Sequence, residues 1–330
     1  MAQIAQTPSR DHLNRQNRQN RSDKRHRLGR RIWANRSTYL LLALPFAATA
    51  VFRYWPIYGV LLAFKNFKAR QGIWGSAWTD HHGFGHFRRL FTDPQFMNAL
   101  GNTLIISLTR IVIMLVAVVG IALLINELRS RRFRNGIQTV LYLPHFLSWV
   151  IIGSLVYTLI SINDSPYAKL MTGFFHTAPI PILTNPRAFR PMVYITSIWK
   201  EAGFGTIIYL AAIAAINPEI YESAAMDGAN RLQRALHITL PGIRSTIFLL
   251  TLLGLGGVLS AGFDQIQNLI MPQTYSQGEI IDTLIYRMAF QGLGQFSYTA
   301  AMDLFKQGVG LLLILIINYF STKYGEESIL

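Results

Sequence analysis

The chain has 330 residues, 51% of them hydrophobic, with no cysteine and a formal net charge of +15. The apolar residues gather into long runs and the mean hydropathy is +0.28, which excludes an ordinary soluble globular domain and indicates an integral membrane protein. Without cysteine there is no disulfide and no thiolate metal site. The basic excess is read from where it sits rather than as a nucleic-acid footprint.

Residues 1–37 are polar, as in DHLNRQNRQNRSDKRHRLGRR. They hold almost nothing to bury, so a disordered or surface-lying tail is expected. About a third of the Lys and Arg lie here, as the positive-inside rule asks of a cytoplasmic tail. An arm for RNA or anionic lipid is the other reading. The charged region is too long for a cleavable signal peptide, and the apolar stretch after it is long enough to span.

Six runs follow that can each cross a hydrocarbon core at about 20 residues. They lie near 38–62, 102–126, 138–162, 191–216, 243–270 and 304–322, inside a transmembrane domain covering 38–330. The expected fold class is an all-α membrane protein with six transmembrane helices. An even count puts both termini on one side. Arg129, Arg131, Arg132 and Arg134 follow the second run, and Arg231, Arg234 and Arg244 follow the fourth. Both groups fall on the side of the basic tail, which marks that side as cytoplasmic. The outer loop 63–101 runs against this with Lys65, Lys68, Arg70, Arg88 and Arg89, but long loops weigh less in the rule. Its Trp74, Trp78, Phe84, Phe87 and Phe91 suit a short element at the interface. Its His81, His82 and His86 lack the cysteines or carboxylates of a metal site, and none is expected.

Residues 217–241 form the one polar, helix-prone block between apolar runs in the second half. Asn217-Pro218-Glu219 supplies an N-cap, a proline at the first helical position and an acid in the first turn. Asp227-Gly228 then breaks the helix. A second helix, Asn230 to Thr239, is expected to stop before Pro241.

Within this block, Glu222-Ser223-Ala224, then Gly228, then Ile238-Thr239-Leu240-Pro241, resembles the EAA loop of permease subunits of ABC importers. The family pattern is E-A-A, three residues, G, nine residues, I-x-L-P, and only Ser223 departs from it. Further matches to the carbohydrate-uptake branch are Asn102-Thr103-Leu104, Asn126-Glu127-Leu128, Trp199-Lys200-Glu201-Ala202-Gly203 and Ile208-Tyr209-Leu210-Ala211-Ala212. Gly262-Phe263-Asp264-Gln265-Ile266 and Ile281-Asp282-Thr283 to Tyr286-Arg287 complete the set. The resemblance covers residues 50–330, and Met302-Asp303 stand where it leads one to expect small apolar residues.

The resemblance implies a type I importer permease in the bacterial inner membrane, with five core spans, a peripheral one and a cytoplasmic coupling helix. It implies a second, different permease, two ATPase subunits carrying ATP and Mg, and an extracytoplasmic binding protein. The cargo it implies is an oligosaccharide, leaning to an acidic, alginate type. The motif residues Tyr221, Glu222, Ser223, Ala224, Ala225, Asp227, Gly228, Ile238, Leu240 and Pro241 would then form the ATPase dock. Glu222 would be its polar anchor, Ala224 and Ala225 would permit close approach, and Gly228 would make the turn.

Five ionisable residues fall at membrane depth, where each costs about 2.5–3.5 kcal/mol: Arg53, Arg110, Lys200, Glu201 and Asp264. They suit a polar cavity, in which Trp199 and Tyr209 offer faces to sugar rings and Gln265, Gln267 and Asn268 hydrogen-bond hydroxyls. Cations lead three to two, which favours an anionic cargo. The competing reading is interhelical ion pairs, with Trp and Tyr as interface anchors and Arg53 snorkelling outward. Lys200 and Glu201, adjacent on a helix, point about 100° apart and need different partners. Gly254, Gly256, Gly257 and Gly262 permit close helix contact or a kink, and a hinge is the further reading.

The chain contains no G-x-x-x-x-G-K-[ST], H-E-x-x-H or G-x-S-x-G and no nucleophile spaced with a base. No catalytic residue and no cofactor are expected on it, so energy must come from a partner. The alternative function is an ion-coupled secondary transporter relaying through Glu201 or Asp264. The lack of a second, inverted half argues against it.

Overall fold

The computed structural model describes residues 34–292 and 294–323, with side chains as far as Tyr319. The expectation for the basic tail therefore falls on residues outside this range. Among the described residues the fold is helical, and the one β feature is an isolated bridge between Lys65 and Trp78. The chain divides after Val60 into two units.

The first unit is carried by helix α1, which begins at Arg36 and runs on to Phe64. Its winding changes to a π turn at Ala50–Tyr54 and then to 3-10 from Trp55. Pro56 explains the change: it has no N–H for the carbonyl one turn back, and the neighbouring turns rewind around the gap.

In the second unit a short helix, α2 (Gly85–Leu90), precedes the longest one, α3 (Pro94–Asn126). Next come α4 (Arg131–Phe146) and α5 (Trp149–Ile160), joined at a 100° bend. The run expected over 138–162 is thus two helices: Ser148 leaves the helix and accepts from the Ile151 N–H, starting α5 afresh. A short α6 (Pro166–Gly173) leads to α7 (Pro186–Ala214), and α8 (Pro218–Met226) follows at 75°. Helix α9 (Arg231–Gly242) meets α10 (Arg244–Gly256) at 60°. The expected run 243–270 is also broken. Residues 257–262 are non-helical, Gly262 takes φ +84°, and α11 (Phe263–Leu269) restarts behind it. Helices α12 (Ile281–Phe290) and α13 (Phe296–Lys323) complete the chain. Among the described residues three helices, α1, α3 and α13, are long and apolar enough to cross a membrane alone, and up to six crossings result if each bent pair counts as one.

Three apolar clusters hold the second unit together. Val118, Val119 and Ala122 of α3 pack against Ala202, Tyr209 and Ile213 of α7. Ile106 packs with Phe189 and Val193 of α7 and Ile266 of α11. Phe96 and Ala99 pack with Leu284 of α12 and Tyr298 and Met302 of α13. Polar pins fix one end of these helices. The Asn102 amide donates to the Glu279 carbonyl at 3.0 Å and accepts from Arg190 at 2.8 Å, while the Ile281 N–H donates to Thr103 at 3.0 Å. Arg287 grips both oxygens of Glu279 at 2.7 and 2.9 Å, and this bond raises its pKa above the ordinary arginine value. Lys306, buried on α13, bonds Asp282, with Asp303 3.8 Å away. Asp303, out of place among small apolar residues in the sequence, thus helps neutralise a buried lysine.

Candidate functional site

The hairpin α8–α9 is built from local signals. Asn217 accepts from the Glu219 N–H at 3.1 Å, with Pro218 at the first helical position. At the other end Gly228 takes φ +83°, the Ala229 N–H reaches the Ala224 carbonyl at 2.9 Å and the Gly228 N–H reaches Ala225 at 3.2 Å. This pair of bonds is a Schellman ending, which wants glycine at that position. Asn230 and Gln233 then exchange side-chain and backbone bonds at 2.9 and 2.8 Å to start α9.

Helix α9 does not stop before Pro241. Ala235–Thr239 wind as a π turn and the helix continues to Gly242. The widened turn already departs from the i→i−4 pattern, so the proline ring and its missing N–H are accommodated there.

The hairpin has two faces. Glu222, Ser223, Ala225, Met226, Asp227 and Gly228 are exposed, Met226 at 89%. On the other face Tyr221 bonds Thr239 at 2.9 Å, Ala224, Ile238 and Leu240 are half-buried, and Ala235 and Thr239 are buried. Pro241 is exposed. Leu240 packs on the α3–α7 cluster and so binds the hairpin to it, while the acid and small residues of α8 face outward. A strut that the sequence reading missed reaches α3. Arg231 donates to the Glu127 carbonyl at 3.4 Å and lies 3.8 Å from its carboxylate. Glu127 was legible only as part of a matched motif, and Arg231 only as a topological charge.

The membrane-depth residues part company. Arg110 of α3 and Glu201 of α7 form an ion pair at 2.7 Å and line one cleft of about 360 Å³. Ser107, Gly254 and residues of the break at Gly257–Gly262 also line it. Tyr209 lines an adjoining apolar cleft of about 250 Å³, which shares Ile111, Met114 and Gly254 with the first. Lys200 and Gln265 stand behind the wall. Lys200 donates to the His145 carbonyl at 2.6 Å and lies over the Trp149 ring. Gln265, fully buried, bonds Ser197, Val193 and Thr196 at 3.0, 2.7 and 2.9 Å. The hydrogen-bonding capacity of Gln265, expected for hydroxyls, is spent inside the protein.

Trp199, Asp264 and Asn268 are exposed, and the Asn268 amide turns back to the Asp264 carbonyl at 2.7 Å. Arg53 lies on α1, in the first unit. The different partners that adjacent Lys200 and Glu201 require are supplied at a π turn, Ile198–Ala202. Ser107 and Ser260 of the cleft were not singled out in sequence, since a serine in an apolar run carries no signal of its own.

Residues 114–322 match the family described as binding-protein-dependent transport system inner membrane component. The polygalacturonan/rhamnogalacturonan transport system permease protein YteP of Bacillus subtilis is 40% identical over 94% of this chain and 95% of its own length. Protein LplB of the same organism is 39% identical over 88% and 90%. Among solved structures, a bacterial ABC transporter involved in the import of the acidic polysaccharide alginate superposes with a TM-score of 0.80 at 37% identity, covering 91% of this chain and 100% of that one. The same kind of transporter in complex with an alginate pentasaccharide-bound periplasmic protein gives 0.79 at 36%, covering 92% and 100%. The chain belongs to the family of binding-protein-dependent transport system inner membrane components, and its helices form the type I ABC importer permease fold.

Proposed function

We propose that this chain is one of two different permeases in an ATP-driven importer that takes an acidic oligosaccharide from an extracytoplasmic binding protein and releases it in the cytoplasm by alternating access. The observation that carries the proposal is the outward face of α8. A helix fixed at both ends by its own caps leaves Glu222, Ser223 and Ala225 free of the chain's own packing. Such an element has no role in the lone subunit and suits a groove on an ATPase. Tyr221–Thr239 and Arg231–Glu127 would carry its movement to α9 and α3. ATP and Mg belong to that partner.

The acidic cargo is supported by the polysaccharides named for YteP and for the alginate transporter and by Arg110 in the cleft. We place the chain in the inner membrane with both termini and the hairpin on the cytoplasmic side, on the strength of the basic loops. The same placement makes residues 38–330 the transmembrane domain.

The test is ATPase activity of the complex co-expressed with its neighbouring permease and ATPase genes. Alginate oligomers and neutral maltodextrins are titrated with the binding protein present. Stimulation by the uronate is expected. With Glu222→Ala the complex should assemble, while stimulated ATPase and uptake fall together about ten-fold or more, as for a lost charged contact. Undiminished uptake in that variant would remove α8 from the coupling role.

A further inference from the structure

Two arginine–glutamate pairs in this chain are built differently. Arg287 meets Glu279 with two donors on two oxygens, at 2.7 and 2.9 Å. Among the described residues Arg110 makes one hydrogen bond, to a single oxygen of Glu201 at 2.7 Å. A guanidinium carries five N–H donors in a rigid fork that matches both oxygens of a carboxylate. The Arg110 side chain is 18% exposed in the cleft, so an end-on pair leaves most of its fork unmatched at membrane depth, where unmade bonds are costly.

Local structure positions this fork. Gly262 sits in the left-handed region, and a Cβ there would lie 2.5 Å from Nη1 of Arg110, so the guanidinium occupies the space that a side chain would take. The π turn Ile198–Ala202 presents Glu201 to the cleft while Lys200 points away from it and is tied to the His145 carbonyl. Ser107, three residues before Arg110 on α3, is 5% exposed and lines the same cleft. Its hydroxyl has no hydrogen-bond partner among the described residues. A half-used guanidinium beside an unused hydroxyl is a donor set for a carboxylate and its neighbouring oxygen.

We propose that Arg110 reads the charge of the cargo: Glu201 holds it end-on in the empty carrier, and the carboxylate of a passing acidic sugar displaces Glu201 and takes the whole fork, with Ser107 donating beside it. This rests on the reading of the cargo as an acidic oligosaccharide. Glu201 stays next to the site as a competitor. The cargo is therefore held strongly enough to enter and weakly enough to leave, as transport requires.

The experiment uses the complete complex in proteoliposomes and compares uptake of an alginate tetrasaccharide with that of its methyl ester. Preference in the binding protein is common to all variants and cancels when their acid-to-ester ratios are compared. Arg110→Gln with Glu201→Gln removes both charges and leaves neither unpaired, and assembly is checked by co-purification with the ATPase. The ratio is expected to fall about ten- to a hundred-fold, the worth of a lost charge-assisted pair. Glu201→Gln alone should lower KM for the acid and not for the ester. A double variant that keeps the original ratio would reduce the pair to a structural link. A single variant that shifts both cargoes equally would remove the exchange. If the unaltered complex moves only neutral maltodextrin, the acidic-cargo reading fails first, before any variant is made.

Discussion

Gly203 shows how a single hydrogen atom sets a helix crossing. It lies where α7 passes α4, and a Cβ there would run into the backbone carbonyl of Leu141. A backbone atom cannot turn aside as a side-chain tip can, so Gly203→Ala must push the helices apart. That strains the Lys200–His145 bond and the stack of His145 on Phe204, whose rings are 3.9 Å apart. The expected cost is about 1–3 kcal/mol, read as a lower melting temperature of the purified complex, and an unshifted melt would refute the contact. His86, in the loop between α1 and α3, offers a pH test. Burial lowers its pKa below the ordinary 6.5, against a hydrogen bond with the Lys65 carbonyl and with Arg89 and Asp80 pulling in opposite directions. The folded loop thus prefers the neutral ring. Its contribution is complete above the unfolded value and is lost as pH falls through that value toward the lowered folded one. Amide protection over residues 65–93, corrected for intrinsic exchange, should fall as pH drops below the ordinary value of 6.5 and should fall less in His86→Gln. Equal slopes in both proteins would exclude His86 as the cause.

At the scale of elements, the hairpin was the most legible part of the chain because its ends are written in side chains that act locally. Asn217, Pro218, Gly228 and Asn230 each do in the structure what their chemistry asks over three or four residues. What sequence could not supply was the winding set by contacts across the fold. The π turns at Ile198–Ala202 and Ala235–Thr239 and the bend before Trp149 are windings that local sequence does not announce. They determine which membrane-depth side chains reach the cleft. That is why Arg110 and Glu201 were found together there while Lys200 and Gln265, equally plausible by composition, serve the interior. The hairpin allows a clean test of the turn. A Cβ at Gly228 would meet nothing within 4 Å, so Gly228→Ala adds no collision and acts only through its left-handed backbone. The cost is about 1–2 kcal/mol, concentrated at the joint between α8 and α9. ATPase stimulation by loaded binding protein should weaken with assembly intact, and full stimulation would mean that the joint need not be rigid.

For the whole molecule, the arrangement in the membrane is proposed from charge and span count, and the chain provides its own means of testing it. It has no cysteine, so single cysteines can be placed without first removing any. If both termini are cytoplasmic, Asn163 beyond α5 lies outside, and Ser130 before α4 and Ser223 on α8 lie inside. All three are exposed in the isolated chain. A membrane-impermeant maleimide should label Asn163→Cys in intact cells and should reach Ser130→Cys only after permeabilisation. Ser223→Cys carries a second condition. It should react in permeabilised membranes holding the permeases alone and become protected when the ATPase subunits are co-expressed, because the proposed dock covers that face of α8. Labelling of Ser223→Cys from outside would overturn the topology. Labelling from inside that is indifferent to the ATPase would keep the topology and remove the dock. The two ideas rest on different physics, loop charge in one case and an uncovered helix face in the other, and this pair of outcomes separates them.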